Sequence, residues 1–148
     1  MTLENLERLV EKKRLNRHHP TGREIANHLK VAREFAAAAS LRGTPEGVRF
    51  HNLYDAAHAL ALAGLKLAGY RAPDGEGNRQ LTLSCVEQTL ALKKGSSAAF
   101  VEANRLRAVM QYQGGDVDIP DSLIEALQGA VNEALGEVEL RLKQFHVR

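Results

Sequence analysis

Three groups of residues in this chain have types and spacings that could do chemistry. His51, Asp55 and His58 stand four and seven positions apart, so a helix would carry all three on one face, with Asn52 and Tyr54 flanking it. Imidazole and carboxylate on one helix can form half of a metal site when a facing helix supplies the remaining ligands. No Glu-x-x-His occurs elsewhere, and His18, His19, His28 and His146 are scattered, so the expectation is a polar face with a His–Asp hydrogen bond and no metal or other cofactor. A histidine used for acid–base catalysis would still need a partner group from another element. The second group is Asn104, Arg105 and Arg107 with Tyr112. Arg105 and Tyr112, seven apart, share a helix face, whereas Arg107 lies about 140° from Tyr112 on an ideal helix. Two arginines beside a tyrosine suit phosphate or base contacts, and a solvated arginine pair is the plainer reading. The third group is the basic run Lys12, Lys13, Arg14, Arg17, His18 and His19, which could touch nucleic-acid phosphates or simply end a helix in water.

Other chemistries lack their motifs. No Gly-x-Gly-x-x-Gly, P-loop, Cys-x-x-Cys or Gly-x-Ser-x-Gly is present. Cys85 is the single cysteine, which excludes a disulfide scaffold and suits a reducing, cytoplasmic setting. The apolar stretch from Ala56 to Gly69 is interrupted by His58 and Lys66, so neither a membrane span nor a signal peptide is expected. The net charge of +2 means that any basic surface must arise from clustering.

These side chains need elements to position them, and the sequence points to helices. The chain has 148 residues, 44% of them apolar and only 5% aromatic, which favours helices packed on small side chains. Leu3, Leu6, Leu9 and Val10 predict a short opening helix, followed by the basic linker up to Pro20. Thr21 and Glu24 read as a capping box for a helix reaching about Leu41. Thr44 and Pro45 read as the cap and first residue of the longest apolar helix, ending at Gly69. Residues 70–77 read as a loop and 78–92 as one helix. A further helix, capped by Ser96 or Ser97, runs to about Gln113 and stops at Gly114 and Gly115. The last starts near Pro120, with Ser122 and Glu125 as its capping box and Leu123, Leu127, Val131, Leu135, Val138 and Leu142 as its stripe. No run alternates with period two, so no sheet is expected. The prediction is an all-α, antiparallel up-and-down bundle of about four long helices plus short extra ones, with residues 1–20 as helix and basic linker and 21–148 as the bundle.

This layout resembles the HEPN-domain family, in its small stand-alone bacterial form, over about residues 21–142. The resemblance rests on the helix from Phe50 to Leu60 followed by Gly69-Tyr70-Arg71, on Glu76-Gly77-Asn78-Arg79, and on Arg105-Leu106-Arg107 leading to Tyr112. It implies a helical bundle that forms homodimers. Many members are metal-independent ribonucleases, toxins paired with a nucleotidyltransferase, or parts of defence systems. Their motif is an arginine followed after four to six residues by histidine, helped by a polar residue on an earlier helix. Arg107 matches the arginine and Asp55 or Asn52 the polar residue, but Tyr112 stands where the motif has histidine. A phenol with a pKa near 10 is a poor acid–base group at neutral pH.

The resemblance therefore implies a protein that binds RNA or a nucleotide, or acts through a partner, with catalysis weak or lost. The binding residues would be Asn104, Arg105, Arg107, Tyr112, His51, Asn52 and His58. An active ribonuclease using Arg107, Tyr112 and Asp55 is the first alternative, and a purely structural interaction module is the second. Tyr112 is also a candidate for nucleotidylation by a partner enzyme.

Overall fold

The computed structural model describes residues 3–74, 78–112 and 118–147. In chain order the elements are α1 (Leu3–Glu11), β1 (Asn16–Arg17), α2 (Gly22–Ala39), α3 (Glu46–Leu67), β2 (Tyr70–Arg71), α4 (Asn78–Ser84), α5 (Val86–Thr89), α6 (Lys94–Tyr112) and α7 (Asp121–Val147). The fold is an all-α bundle whose four long helices are α2, α3, α6 and α7. Cross-bundle contacts fix their directions. Glu24 at the start of α2 meets Lys66 at the end of α3, so those two run antiparallel. Ser96 at the start of α6 donates to Glu133 midway along α7, while Arg105 and Leu106 lie beside Ser122 and Leu123 at the start of α7, so α6 and α7 are antiparallel too. Glu46 meets Asp121 at one end of the bundle and Leu67 lies near Phe145 at the other, so α3 and α7 run parallel. The four helices thus alternate up and down along the chain.

Helix α3 is the central element. Phe50, Leu53, Tyr54, Leu60 and Leu65 are buried, and alanines fill most of the remaining inward positions. They pack with Ile25 and Leu29 of α2, Phe100 and Leu106 of α6, and Leu127, Val131 and Val138 of α7. Small residues let neighbouring backbones come close. At Gly64 a Cβ would lie 2.7 Å from Thr89 Oγ1 and 2.9 Å from Leu90 Cγ.

A second, smaller core forms at the C-terminal end of α3. Leu6 of α1 and Leu15 pack there with Leu65, Tyr70, Leu81 and Cys85. Contrary to the expectation of no sheet, β1 and β2 pair antiparallel, Asn16 opposite Arg71 and Arg17 opposite Tyr70. The His18 N–H also donates to the Gly69 carbonyl at 2.8 Å, and Gly69 itself has φ +95°. Tyr70 and Arg71, read from sequence as loop, are therefore strand. Two-residue strands are too short to show alternation, which is why the pattern missed them.

Several helix ends also differ from the sequence reading. The Thr21 hydroxyl accepts the Glu24 N–H at 3.1 Å, but the Glu24 carboxylate turns to His18 and Lys66, so half of the capping box forms. The Thr44 hydroxyl donates back to the Leu41 carbonyl at 2.7 Å, leaving Pro45 as the N-cap of α3. The single helix expected over 78–92 breaks into α4 and α5 at Cys85, where the Ser84 hydroxyl donates back to the Leu81 carbonyl, and Ala91 beyond them has φ +53°. Ser96 and Ser97 lie inside α6, not at its cap; Glu133 instead accepts from the Lys93 N–H and the Ser96 hydroxyl. Ser122 and Glu125 lie inside α7, because the Pro120 carbonyl already accepts from Leu123 and Ile124. Glu76, Gly77 and the expected stop at Gly114 and Gly115 fall outside the described residues.

Candidate functional site

The polar cluster of the bundle is built where α3, α4 and α6 meet. Helical spacing puts Tyr54, Asp55 and His58 on neighbouring positions of α3. The antiparallel run of α6 brings Asn104 and Arg107 to the same level, and α4 delivers Arg79 from its first turn. Tyr54 is fully buried, and its hydroxyl donates to Asn104 Oδ1 at 2.8 Å. This bond satisfies the phenol and ties α3 to α6.

Both arginines use the same ring. The Arg107 guanidinium carbon lies 5.1 Å from the Tyr54 centroid and that of Arg79 5.8 Å. Contacts of this kind contribute about 0.5–2 kcal/mol each, enough to hold a guanidinium in place. Arg79 Nη1 is 4.0 Å from Asp55 Oδ1, a loose and partly exposed pair. Arg107 makes no ion pair among the described residues. Two positive groups from different helices therefore converge beside a single carboxylate.

His58 sits within electrostatic reach of this pair. Burial pushes its imidazole down to about 4, and the charges of Arg79, His28 and Arg107 add to the shift. The ring is consequently neutral at pH 7. His28 on α2 behaves alike: burial and the Lys66 ammonium push it down to about 4 against the opposing pull of Glu24. Its Nε2 is buried without a hydrogen-bond partner.

The structure brings together four of the residues singled out from sequence: Asn104, Arg107, Asp55 and His58. It leaves three outside. His51 is exposed, its ring set edgewise to Phe50 at 5.8 Å between centroids. Arg105 points to the other side of α6, where its Nε donates to both Glu102 oxygens at 2.9 and 3.0 Å. Tyr112 is 91% exposed. The 140° that separates it from Arg107 is preserved, because α6 stays regular to its end. Asn52 is half-buried, about 60° round α3 from Asp55.

Two members of the cluster had little weight in sequence. Tyr54 was only a flanking residue, and Arg79 was only part of a resemblance. Tyr54 lies one turn before His58, so an inward aromatic at that offset was the available signal. Arg79 had none, since its position depends on how the 72–77 segment returns to the bundle.

Among the described residues, no three His, Cys, Asp or Glu side chains converge as a metal site would require. No described helix is long and apolar enough to cross a membrane. The Cys85 thiol is buried, which pushes its pKa up and away from nucleophilic chemistry. Compared with protein-family models, with described proteins and with solved structures, the chain matches none.

Proposed function

We propose that this chain is an HEPN-type bundle that binds RNA or a nucleotide through phosphate contacts of Arg107 and Arg79. The observation that carries the reading is the convergence of the two guanidiniums on the Tyr54 ring, with the Asp55 carboxylate loosely paired to Arg79. A planar guanidinium matches a phosphate with paired N–H donors, and the ring and the Tyr54–Asn104 bond hold it ready. Asn104 and the neutral His58 ring supply further polar edges. The site belongs to a cytoplasmic homodimer that acts with a partner, such as a nucleotidyltransferase of toxin–antitoxin type or a defence system. Catalysis is weak or absent because Tyr112, the residue at the motif's histidine position, points away from Arg107.

A second reading, a metal-independent ribonuclease using Arg107, is favoured by one observation: the Arg107 guanidinium is held over the Tyr54 ring with no ion pair among the described residues, so its charge is available to a phosphate. The 2′-oxygen would attack the adjacent phosphorus as its proton passes to water. The bond to the 5′-oxygen would break with proton return, and Arg107 would stabilise the extra negative charge.

The test is binding of a fluorescein-labelled oligouridylate and of uridine monophosphate by wild type and by Arg107→Ala. Fold is checked by circular dichroism and oligomeric state by light scattering. Loss of a charged hydrogen-bond donor is expected to weaken binding about 10- to 100-fold. Unchanged affinity for both ligands in a folded Arg107→Ala protein overturns the assignment. Cleavage of the same oligonucleotide in EDTA, lost in Arg107→Ala, selects the ribonuclease reading.

A further inference from the structure

The basic run at the N-terminus is absorbed by nothing in the reading above, and the structure gives it a fixed place. The first twenty residues carry five basic and three acidic side chains, a net +2 that equals the charge of the whole chain. The other 128 residues are neutral in sum, so the excess charge belongs to this segment alone. It is not a loose tail. Leu15 is buried in the smaller core, β1 pairs with β2, and Glu7 binds both Arg17 and the Tyr70 hydroxyl.

With the segment pinned at both ends, Lys12, Lys13 and Arg14 stand exposed at the turn, and Arg17 and Arg71 are exposed on the two strands. Lys13 has φ +60°, in the left-handed region where glycine is the usual choice. A lysine there puts one more ammonium at the tip of the turn.

Helix α4 connects this patch to the arginine site. Its buried Leu81 and the following Cys85 pack in the same small core as Leu15, and the Arg14 charge is felt at Cys85. Its exposed residues are Arg79, Gln80 and Ser84, none of them acidic. Arg79 at its start belongs to the Tyr54 cluster. The rise from Arg79 to Ser84 is about 7–8 Å. Asp74 in the preceding loop and Glu11 beside Lys12 are exposed at the borders of this surface, and Glu87, three residues past Ser84, is half-buried.

We propose that the basic turn of Lys12, Lys13 and Arg14 is the outer part of a path for single-stranded RNA, which runs along α4 to Arg79 and Arg107. The inference rests on the phosphate-binding reading of the arginine cluster and narrows it. A mononucleotide reaches only one end of such a path, whereas a strand spans both. A pinned turn also binds without the ordering cost of a flexible tail.

The experiment compares wild type, Arg107→Ala and the triple variant Lys12→Ser, Lys13→Gly, Arg14→Ser. Glycine at position 13 suits the positive φ, so the triple variant keeps its fold, checked by thermal melting. The probes are uridine monophosphate and a fluorescein-labelled oligouridylate of about ten nucleotides, titrated across a salt series. The triple variant is expected to lose about 10- to 100-fold in oligonucleotide affinity. Its plot of log affinity against log salt should be shallower by about 2, for three contacts at about 0.7 each on a single strand. Its affinity for the mononucleotide should stay within twofold.

An oligonucleotide affinity and salt slope equal to wild type overturn the path, even if Arg107→Ala abolishes binding and so sustains the arginine site. Equal loss of both ligands in the triple variant also overturns it, because the turn would then belong to the nucleotide site itself. Absence of oligonucleotide binding by the wild type overturns it outright.

Discussion

Acidification should destabilise this protein before its salt-bridged carboxylates titrate, and His28 and His58 are the cause. Both imidazoles are held at about 4, against an ordinary 6.5. As pH falls below 6.5 the unfolded chain takes up protons at these positions while the folded chain does not. The stability they contribute is therefore complete above about 6.5, erodes between 6.5 and 4, and changes no further once both states are protonated. Between pH 7 and about pH 5 the linkage amounts to about 2 kcal/mol per histidine. Solvent at their exposed edges screens part of this, so about 2–3 kcal/mol for the pair is the working figure. The groups that face them are Arg79 and Arg107 for His58, Lys66 and Glu24 for His28, and each other. The carboxylates of Glu7, Glu24 and Glu102 are held below 4.5, so their own losses begin at lower pH, whereas Glu46, raised by its hydrogen bond to Asp121, binds its proton more readily in the folded state and offsets part of the loss. Urea unfolding at about pH 7 and about pH 5 reads the difference. His28→Gln and His58→Gln should each remove about half of it, and the double variant nearly all. A double variant that loses as much stability as the wild type over this interval would refute the assignment, as would a wild type that loses none.

Two further predictions concern packing. Gly64→Ala forces a methyl against Thr89 Oγ1 and Leu90 Cγ; it should cost about 1–3 kcal/mol, read as a lower melting temperature, and a normal melt would mean that α5 gives way freely. Tyr54→Phe removes the hydroxyl that Asn104 accepts; it should cost about 1 kcal/mol, and a double-mutant cycle with Asn104→Ala that shows no coupling would argue against the bond.

The long helices were legible because each carries an apolar stripe at helical spacing. Ala99, Ala103, Leu106 and Met110 on α6 are buried as the pattern required. On α7 the buried stripe runs through Leu127, Val131 and Val138, with Ile124, Ala130 and Ala134 widening it. Helix ends were read less well, because a capping side chain has competitors that sequence does not reveal. Glu24 could return to Thr21 or turn to His18 and Lys66, and an imidazole nitrogen together with an ammonium outweighs one neutral backbone N–H. Thr44 could cap the helix after it or the carbonyls before it, and the hydroxyl donates backward. In both cases the deciding group belongs to another turn or another element.

The site shows the same division more sharply. Spacing along one helix separated Arg107 from Tyr112, because the 100° step is a local property, but it grouped His51 with Asp55 and His58, and His51 stays exposed with no hydrogen bond to Asp55 among the described residues. Nor could spacing say which side of α6 would meet α3. Arg105 and Arg107 look equivalent in sequence, yet 200° separates them, and burial of Ala103 and Phe100 turns the Arg107 side inward. Arg105 is left to pair with Glu102 three residues away, a contact any isolated helix can make. Arg107 instead meets an aromatic ring whose hydroxyl is already committed to Asn104. The difference between the two arginines lies in the company each keeps: one has its charge compensated locally, and the other is held beside a second cation with little compensation. A positioned pair of guanidiniums with one loosely held carboxylate beside it keeps a net positive charge that attracts an anion, and for that reason Arg107, and not Arg105, is the residue to change first.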